Sequence, residues 1–300
     1  MKKKKVSMFD VCNTIFMLLI LVITLYPLYY TVIASFSSAN AVASGKVTWW
    51  PVGFTLAAYE RVVEYKKIWV GYANTTYYTV LGTLFNLVLT IPAAYTMSKK
   101  NLPHKNFIMT IFVITMYFSG GMIPKFLLVK NLGLLNTRAI LILLGGLSVY
   151  NFIVTRTYFS TSISESLYEA ADIDGAGEFK KFFTIAIPLS KPILAVMTLY
   201  YAVVRWNNYF DALIYVTNQD YEPLQAVLRR ILILNENMQN EIEIGGGATI
   251  EQLQYAADMA ALAYTMRYAV VFIASAPLLI MYPFVQKYFV KGVMIGAVKE

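Results

Sequence analysis

Charge is scarce in this chain: 14% of its 300 residues are Asp, Glu, Lys or Arg, where a soluble domain carries about 25%. A soluble helical protein would have to hide several apolar runs of about 20 residues with too little polar surface to cover them, which argues against that class. Cysteine occurs once, as Cys12, so no intrachain disulfide forms, and the single histidine, His104, argues against a His-built metal site. His104 sits beside Lys105 and reads as a solvated loop residue. No Gly-x-x-x-x-Gly-Lys-Ser/Thr pattern occurs, so the chain lacks a phosphate-cradling loop of that kind. The net charge of +8 does not indicate nucleic acid, because the basic residues cluster at the ends of apolar runs.

Apolar residues are what the chain has in excess, at 58%. Six segments stand out: Ile15–Ala34, Tyr77–Met97, Phe107–Leu128, Ala139–Thr155, Ile193–Val216 and Tyr268–Phe289. A helix satisfies its own backbone in lipid, so these predict an all-α polytopic membrane protein with six transmembrane helices, forming one domain over residues 1–300. Gly120, Gly121, Pro124 and Lys125 interrupt the third segment, and its outer end is expected to bend or lie in the interface. Pro27 and Pro277 are expected kinks. Lys2 to Lys5 before an apolar run resemble a secretion signal, but Ile15–Ala34 is longer than a signal core and reads as a retained anchor.

An even number of spans puts both termini on one side. That side then holds Lys2, Lys3, Lys4, Lys5, Lys99, Lys100, Lys105, Arg156, Lys180, Lys181, Lys191, Lys287, Lys291 and Lys299, 14 of the 25 basic residues, and is expected to be cytoplasmic. The opposite side carries the longer loops, about 36–72 and 217–264. The first holds Trp49-Trp50-Pro51, suited to the membrane interface. In the second, Pro223 to Leu234 reads as a helix, Gly245-Gly246-Gly247 as a break, and Thr249-Ile250-Glu251-Gln252 as a capping box opening another helix.

A polar loop at about 157–191 is the most informative stretch. Ser166-Leu167-Tyr168-Glu169 has capping-box form, Ser162-Ile163-Ser164-Glu165 offers a second start, and Gly175 stands where a helix C′ glycine belongs. Glu169-Ala170-Ala171, three residues, Gly175, nine residues, then Ile185-Ala186-Ile187-Pro188 resembles the EAA loop of binding-protein-dependent ABC importer permeases. Ile187 replaces the usual Leu. Phe54-Thr55-Leu56 with Tyr59, Ala93 to Lys100, Asn131 to Thr137, Trp206-Asn207-Asn208-Tyr209 and the tail Gln286 to Lys299 are similar to the carbohydrate-uptake branch, including the maltose-permease G subunit and Gram-positive polysaccharide and oligosaccharide permeases.

The resemblance implies a type I ABC importer permease in a bacterial cell membrane, with no catalysis of its own. Glu169, Ala170, Ala171, Asp172, Gly175 and Pro188 would couple it to a separate ATPase that binds ATP and Mg²⁺. The implied partners are a second related permease, two ATPase subunits or domains, an extracellular sugar-binding lipoprotein and membrane lipid. The tail from Lys291 to Glu300 would reach toward the ATPase pair. Polar and aromatic residues in the spans are the substrate-path candidates: Trp206, Asn207, Asn208, Tyr209, Asp211, Asn151 and Tyr150, with Asn86 on the second segment. Helix–helix hydrogen bonding is the competing role for them, and Arg205 with Asp211 is a candidate structural pair. A permease for peptides, amino acids or phosphate stays open. An ion-coupled secondary transporter predicts inverted repeats that the sequence does not display, and a membrane sensor or assembly protein would leave the EAA spacing unexplained.

Overall fold

From Ile15 to Ala34 no side chain is charged, and in the computed structural model this run lies within one long helix, α1 (Met8–Ser35). The structure describes residues 7–231, 265–277, 279–280 and 283. Ser7 and Asp10 form a capping box at the start of α1: Phe9 N–H donates to Ser7 Oγ and Ser7 N–H to Asp10 Oδ2. The helix continues through Pro27, and no residue before Ile33 is buried.

The chain divides into two compact units, one from the described residues of Met1–Trp69 and Val227–Ala276, the other from those of Val70–Ala226 and Pro277–Glu300. In the first, α1 is followed by α2 (Ala39–Ala43) and α3 (Ala57–Glu64). Ile33, Ala34, Ala41, Val42 and Val47 make its core, edged by Tyr30 and Tyr268. Tyr26 Oη donates to Thr48 O and Tyr29 Oη to Trp49 O, strapping the Trp49-Trp50 loop to α1 while Trp50 stays exposed.

The second predicted segment is longer than expected. It folds as α4 (Lys66–Ser98), 33 residues passing through Pro92, and at 1.5 Å per residue its length of about 50 Å exceeds the ~30 Å hydrocarbon core. The predicted loop at 36–72 therefore ends sooner and contains two helices. The third segment bends as expected: α5 (Lys105–Tyr117) and α6 (Met122–Asn131) meet at 108°. The fourth and fifth are each broken. The fourth becomes α7 (Arg138–Leu143) and α8 (Val149–Ser162), parted by Leu144-Gly145-Gly146-Leu147-Ser148.

Beyond α8 come α9 (Glu165–Ile173), α10 (Glu178–Lys181), a π-helical turn (Phe182–Ala186) and α11 (Ile187–Leu189). The fifth segment is α12 (Lys191–Trp206) and α13 (Phe210–Tyr215), parted by Asn207-Asn208-Tyr209. Apolarity predicted where these segments lie, but not their breaks. Among the described residues two helices are long and apolar enough to span uninterrupted, α1 and α4, and two bent pairs qualify jointly: α5 with α6, and Glu178–Leu189 with α12 at 81°. Of the sixth segment, the structure describes helix over 265–277, and positions 279–280 and 283.

A turn of 3₁₀ helix (Gln219–Tyr221) and a helix over 224–231 follow α13. The predicted Gly245–Gly247 break, the Thr249–Gln252 cap and the tail from Lys291 lie outside the described residues. α4 carries the start of this loop. Asn74 Nδ2 donates to Asp220 O (2.7 Å) and Glu222 O (3.0 Å), Tyr78 Oη to Tyr221 O (2.8 Å), and Thr75 Oγ1 accepts from Leu224 N–H (2.7 Å).

Candidate functional site

The Glu169–Gly175 motif forms the second half and C-terminal cap of α9, and the helix begins between the two predicted starts, after Ser162 and before Ser166. Ser164 is the N-cap and makes no side-chain cap bond. α8 ends at Ser162, so only Ile163 and Ser164 separate the helices, and Ile163 is buried in the core with Phe159 and Ala186. That anchor leaves Ser166 inside the first turn, its hydroxyl 2.8 Å from that of Ser164. The far end is as expected. Gly175 adopts φ +70°, Gly175 N–H donates to Asp172 O (3.0 Å) and Ala176 N–H to Ala171 O (2.8 Å), the paired bonds of a Schellman cap. An L side chain at that φ would cost roughly 1 kcal/mol.

The inner face of α9 is tied down along its length. Glu165 pairs with Lys100, Tyr168 lies under Lys99 Nζ (3.5 Å to the ring centroid), and Asp172 pairs with Lys181. Lys181, only 4% exposed, also donates to Glu178 Oε1 (2.7 Å), and Glu178 accepts from Tyr95 Oη (3.0 Å) at the end of α4. Thus Lys181 and Glu178 join α4, α9 and α10. Nothing in the sequence shows that Tyr95 comes to meet them. Between these edge contacts lies a cleft of about 970 Å³, lined by Tyr95, Lys100, Tyr168 and Phe183 among others.

The rest of α9 is open. Glu169, at the rim of that cleft, and Ala170, which does not line it, are exposed; the Glu169 carboxylate makes no hydrogen bond or ion pair within the described structure, and Ala171 is half-buried. Ile173 is 88% exposed and Phe179 84% exposed. The signal for these two was present in the sequence as large apolar side chains inside a polar loop. Downstream, Ala186 is fully buried while Pro188 opens α11 and is exposed. The chain then turns through 81° at the buried Ser190 into α12.

The ion pairs give this region a defined pH window. Glu178 is held below its ordinary 4.5, chiefly by the Lys181 hydrogen bond, with burial opposing and Tyr95 and Lys99 assisting. Lys181 is held above its ordinary 10.5 by Asp172 first and Glu178 second. Burial, then the Glu178 charge, pushes Tyr168 up to about 12. A depressed carboxyl stabilises fully above 4.5 and loses that contribution as the pH falls through its lowered value. A raised amine stabilises fully below 10.5 and loses it as the pH climbs through its raised value. The hydrogen-exchange protection of α9 is therefore expected to be flat between those limits and to drop on acidification below 4.5. A drop near neutral pH would assign the anchoring to other groups.

The substrate-path candidates do not form one cluster. Trp206 is buried edge-on to Tyr72 (5.6 Å), while Asn207 is exposed and donates to Val203 O. Asn208 donates to Asp211 Oδ2 (2.8 Å), so Asp211 pairs with Asn208 and forms no ion pair with Arg205 within 4.0 Å. Tyr209 is exposed. On α8, Tyr150 is exposed and Asn151 buried. Arg205 is instead buried against α4 and α7: Nε donates to Asn86 Oδ1 (3.0 Å), Nη1 to Leu141 O (2.8 Å) and Nη2 to Ile142 O (3.0 Å). Gly82 makes room for it, since a Cβ there would stand 2.8 Å from Arg205 Nε. Among the described residues, no group of three or more His, Cys, Asp or Glu is placed to hold a metal ion.

Helices without strands among the described residues, two of them long and apolar enough to span and two more spans broken by bends, define a polytopic membrane protein. Residues 68–295 match the family of binding-protein-dependent transport system inner membrane components, and the chain belongs to that family. It is 36% identical over 296 residues to the polygalacturonan/rhamnogalacturonan transport system permease protein YtcP of Bacillus subtilis (strain 168), covering 98% of this chain and 99% of that one. It is also 36% identical over 298 residues to protein LplC of the same organism, covering 97% and 95%. Among solved structures it is similar to a bacterial ABC transporter involved in the import of the acidic polysaccharide alginate, with a TM-score of 0.82 and 34% identity, covering 96% of this chain and 99% of that one.

Proposed function

We propose that this chain is a permease subunit of an ATP-driven importer for oligosaccharides or polysaccharide fragments, and that α9 is its docking element for a separate ATPase. The observation that carries this is the asymmetry of α9. The helix is pinned at Glu165, Tyr168 and Asp172, while Glu169 stands exposed at the rim of the cleft and Ala170 and Ile173 are exposed outside it. Large apolar side chains left exposed on a polar loop, Ile173 and Phe179, fit a protein contact. The half-buried Ala171 and the Gly175 cap keep the end of the helix slim enough for a groove.

In this reading α9 and both termini face the cytoplasm. ATP and Mg²⁺ belong to the ATPase, and this chain catalyses no reaction. A second related permease subunit completes the pathway, and an external binding protein delivers the solute. Movement of α9 passes through the Asp172–Lys181–Glu178 links to α10 and the π-helical turn, then across the bend at Ser190 to α12. Within the carbohydrate class, the relatives named for polygalacturonan and for alginate make uronate-containing oligosaccharides the first solutes to test.

The test is to express the chain with its neighbouring permease, ATPase and binding protein, and to measure ATP hydrolysis with uronate and neutral oligosaccharides. Stimulation by uronates above neutral sugars supports the full reading. Stimulation by neutral sugars alone rejects the uronate assignment, and failure of any ATPase to co-purify rejects the docking role.

A further inference from the structure

The break in the fourth segment meets a polar ladder built by two helices. Asn86 and Thr90 on α4, and Tyr201 and Arg205 on α12, are each four residues apart, so each pair lies on one helix face, and all four side chains are buried. The upper rung joins Arg205 to Asn86; Asn86 Nδ2 donates to Gly145 O and Gly146 O (both 2.7 Å), while the guanidinium holds the last carbonyls of α7. The lower rung joins the hydroxyls of Tyr201 and Thr90 (2.7 Å), and Tyr201 Oη accepts Ser148 N–H (3.3 Å) at the start of α8. The connection between α7 and α8 is thus fastened at both ends to the same two helices. Its non-helical backbone needs those partners at membrane depth, where an unpaired polar group is costly.

We propose that Arg205 and Tyr201 are positioning residues for transport, tying α4, the 144–148 connection and α12 into one moving body. This rests on the transport reading above. It places the hinge for α12 outside the ladder, at the 81° turn at Ser190.

The test uses the assembled importer in liposomes, with Cys12 replaced by Ser and spin labels at Leu84 and Val204, both exposed on α4 and α12. The label distance is expected to be the same without nucleotide and with ATP trapped. Arg205→Met is expected to broaden it and to lower the solute moved per ATP about tenfold, the weight of one hydrogen bond to a charged group. Tyr201→Phe removes one hydroxyl and is expected to do the same more weakly, so it decides the matter if Arg205→Met does not assemble. A shift in the distance on trapping, or unchanged coupling and distances in the variants, overturns the tie. If no ATPase associates, the transport reading fails, and the tie is judged on exchange at the Ser148 amide in the full chain. Faster exchange in Tyr201→Phe upholds it, and equal exchange refutes it.

Discussion

Glu169→Lys stops uptake while leaving the chain inserted at its native level. The Glu169 carboxylate makes no hydrogen bond or ion pair within the described structure; it acts electrostatically on Lys100, which is itself paired with Glu165. Reversing an exposed charge near another exposed charge costs about 1 kcal/mol or less, too little to unfold a domain stabilised by about 5–15 kcal/mol. An uptake defect therefore has to act through a partner. A reversed charge on a docking face repels the complementary group and weakens association by tenfold or more for every ~1.4 kcal/mol. The measurements are uptake by whole cells, membrane content of the chain, and ATPase recovered with it. Uptake at the native rate would remove α9 from the coupling path, and a compensating charge reversal on the ATPase that restores transport would locate its counterpart.

Gly82→Leu is expected to remove the folded protein from the membrane, and Gly82→Ala to weaken it. The second result is the more telling. A glycine inside a helix normally gains about 1 kcal/mol on becoming alanine, so helix propensity alone predicts a stabilised variant. Here the new Cβ would lie 2.8 Å from Arg205 Nε and 2.9 Å from Cδ, and the guanidinium cannot step aside without leaving Asn86, Leu141 and Ile142. Separating a buried charge from its partners costs roughly 3–5 kcal/mol, which exceeds the propensity gain. The fraction remaining monodisperse in detergent after heating checks both variants. A more heat-resistant Gly82→Ala would show that Arg205 has slack.

What the sequence made legible follows from what each signal measures. Hydrophobic runs located the segments, because lipid demands apolar length, and the glycine at 175 announced its cap because only a positive-φ position wants it. The interruptions at 144–148 and 207–209 stayed hidden inside runs that read as continuous. Leu144-Gly145-Gly146-Leu147 is as apolar as a helix, and the partners that stabilise its unwinding, Asn86 and Arg205, stand on distant segments. Arg205 is the opposite charge nearest Asp211 in sequence, which makes them a candidate pair; folded, Asp211 turns to Asn208, and the arginine turns to Asn86 and two backbone carbonyls. The motif residues of α9 were readable one by one, whereas which side chains are tied down and which, like Ile173, stay exposed emerged only from the ion pairs and ring contact at Glu165, Tyr168 and Asp172.

The length of α4 has a last consequence. Its 33 residues exceed the thickness of the hydrocarbon core, and its N-terminal half carries Asn74, Thr75 and Tyr78, which hold the backbone of residues 220–224 by four hydrogen bonds. On the proposed external side this is a pedestal: the buried residues 222–224 are fixed to α4, and the exposed Gln219 and Asp220 just before them are set in shape. A soluble protein meeting that exposed stretch finds residues with little conformational freedom left to lose, so encounter more readily becomes engagement. Loosening the pedestal with Asn74→Ala would then slow capture of the incoming partner, with the route through the membrane left as it is.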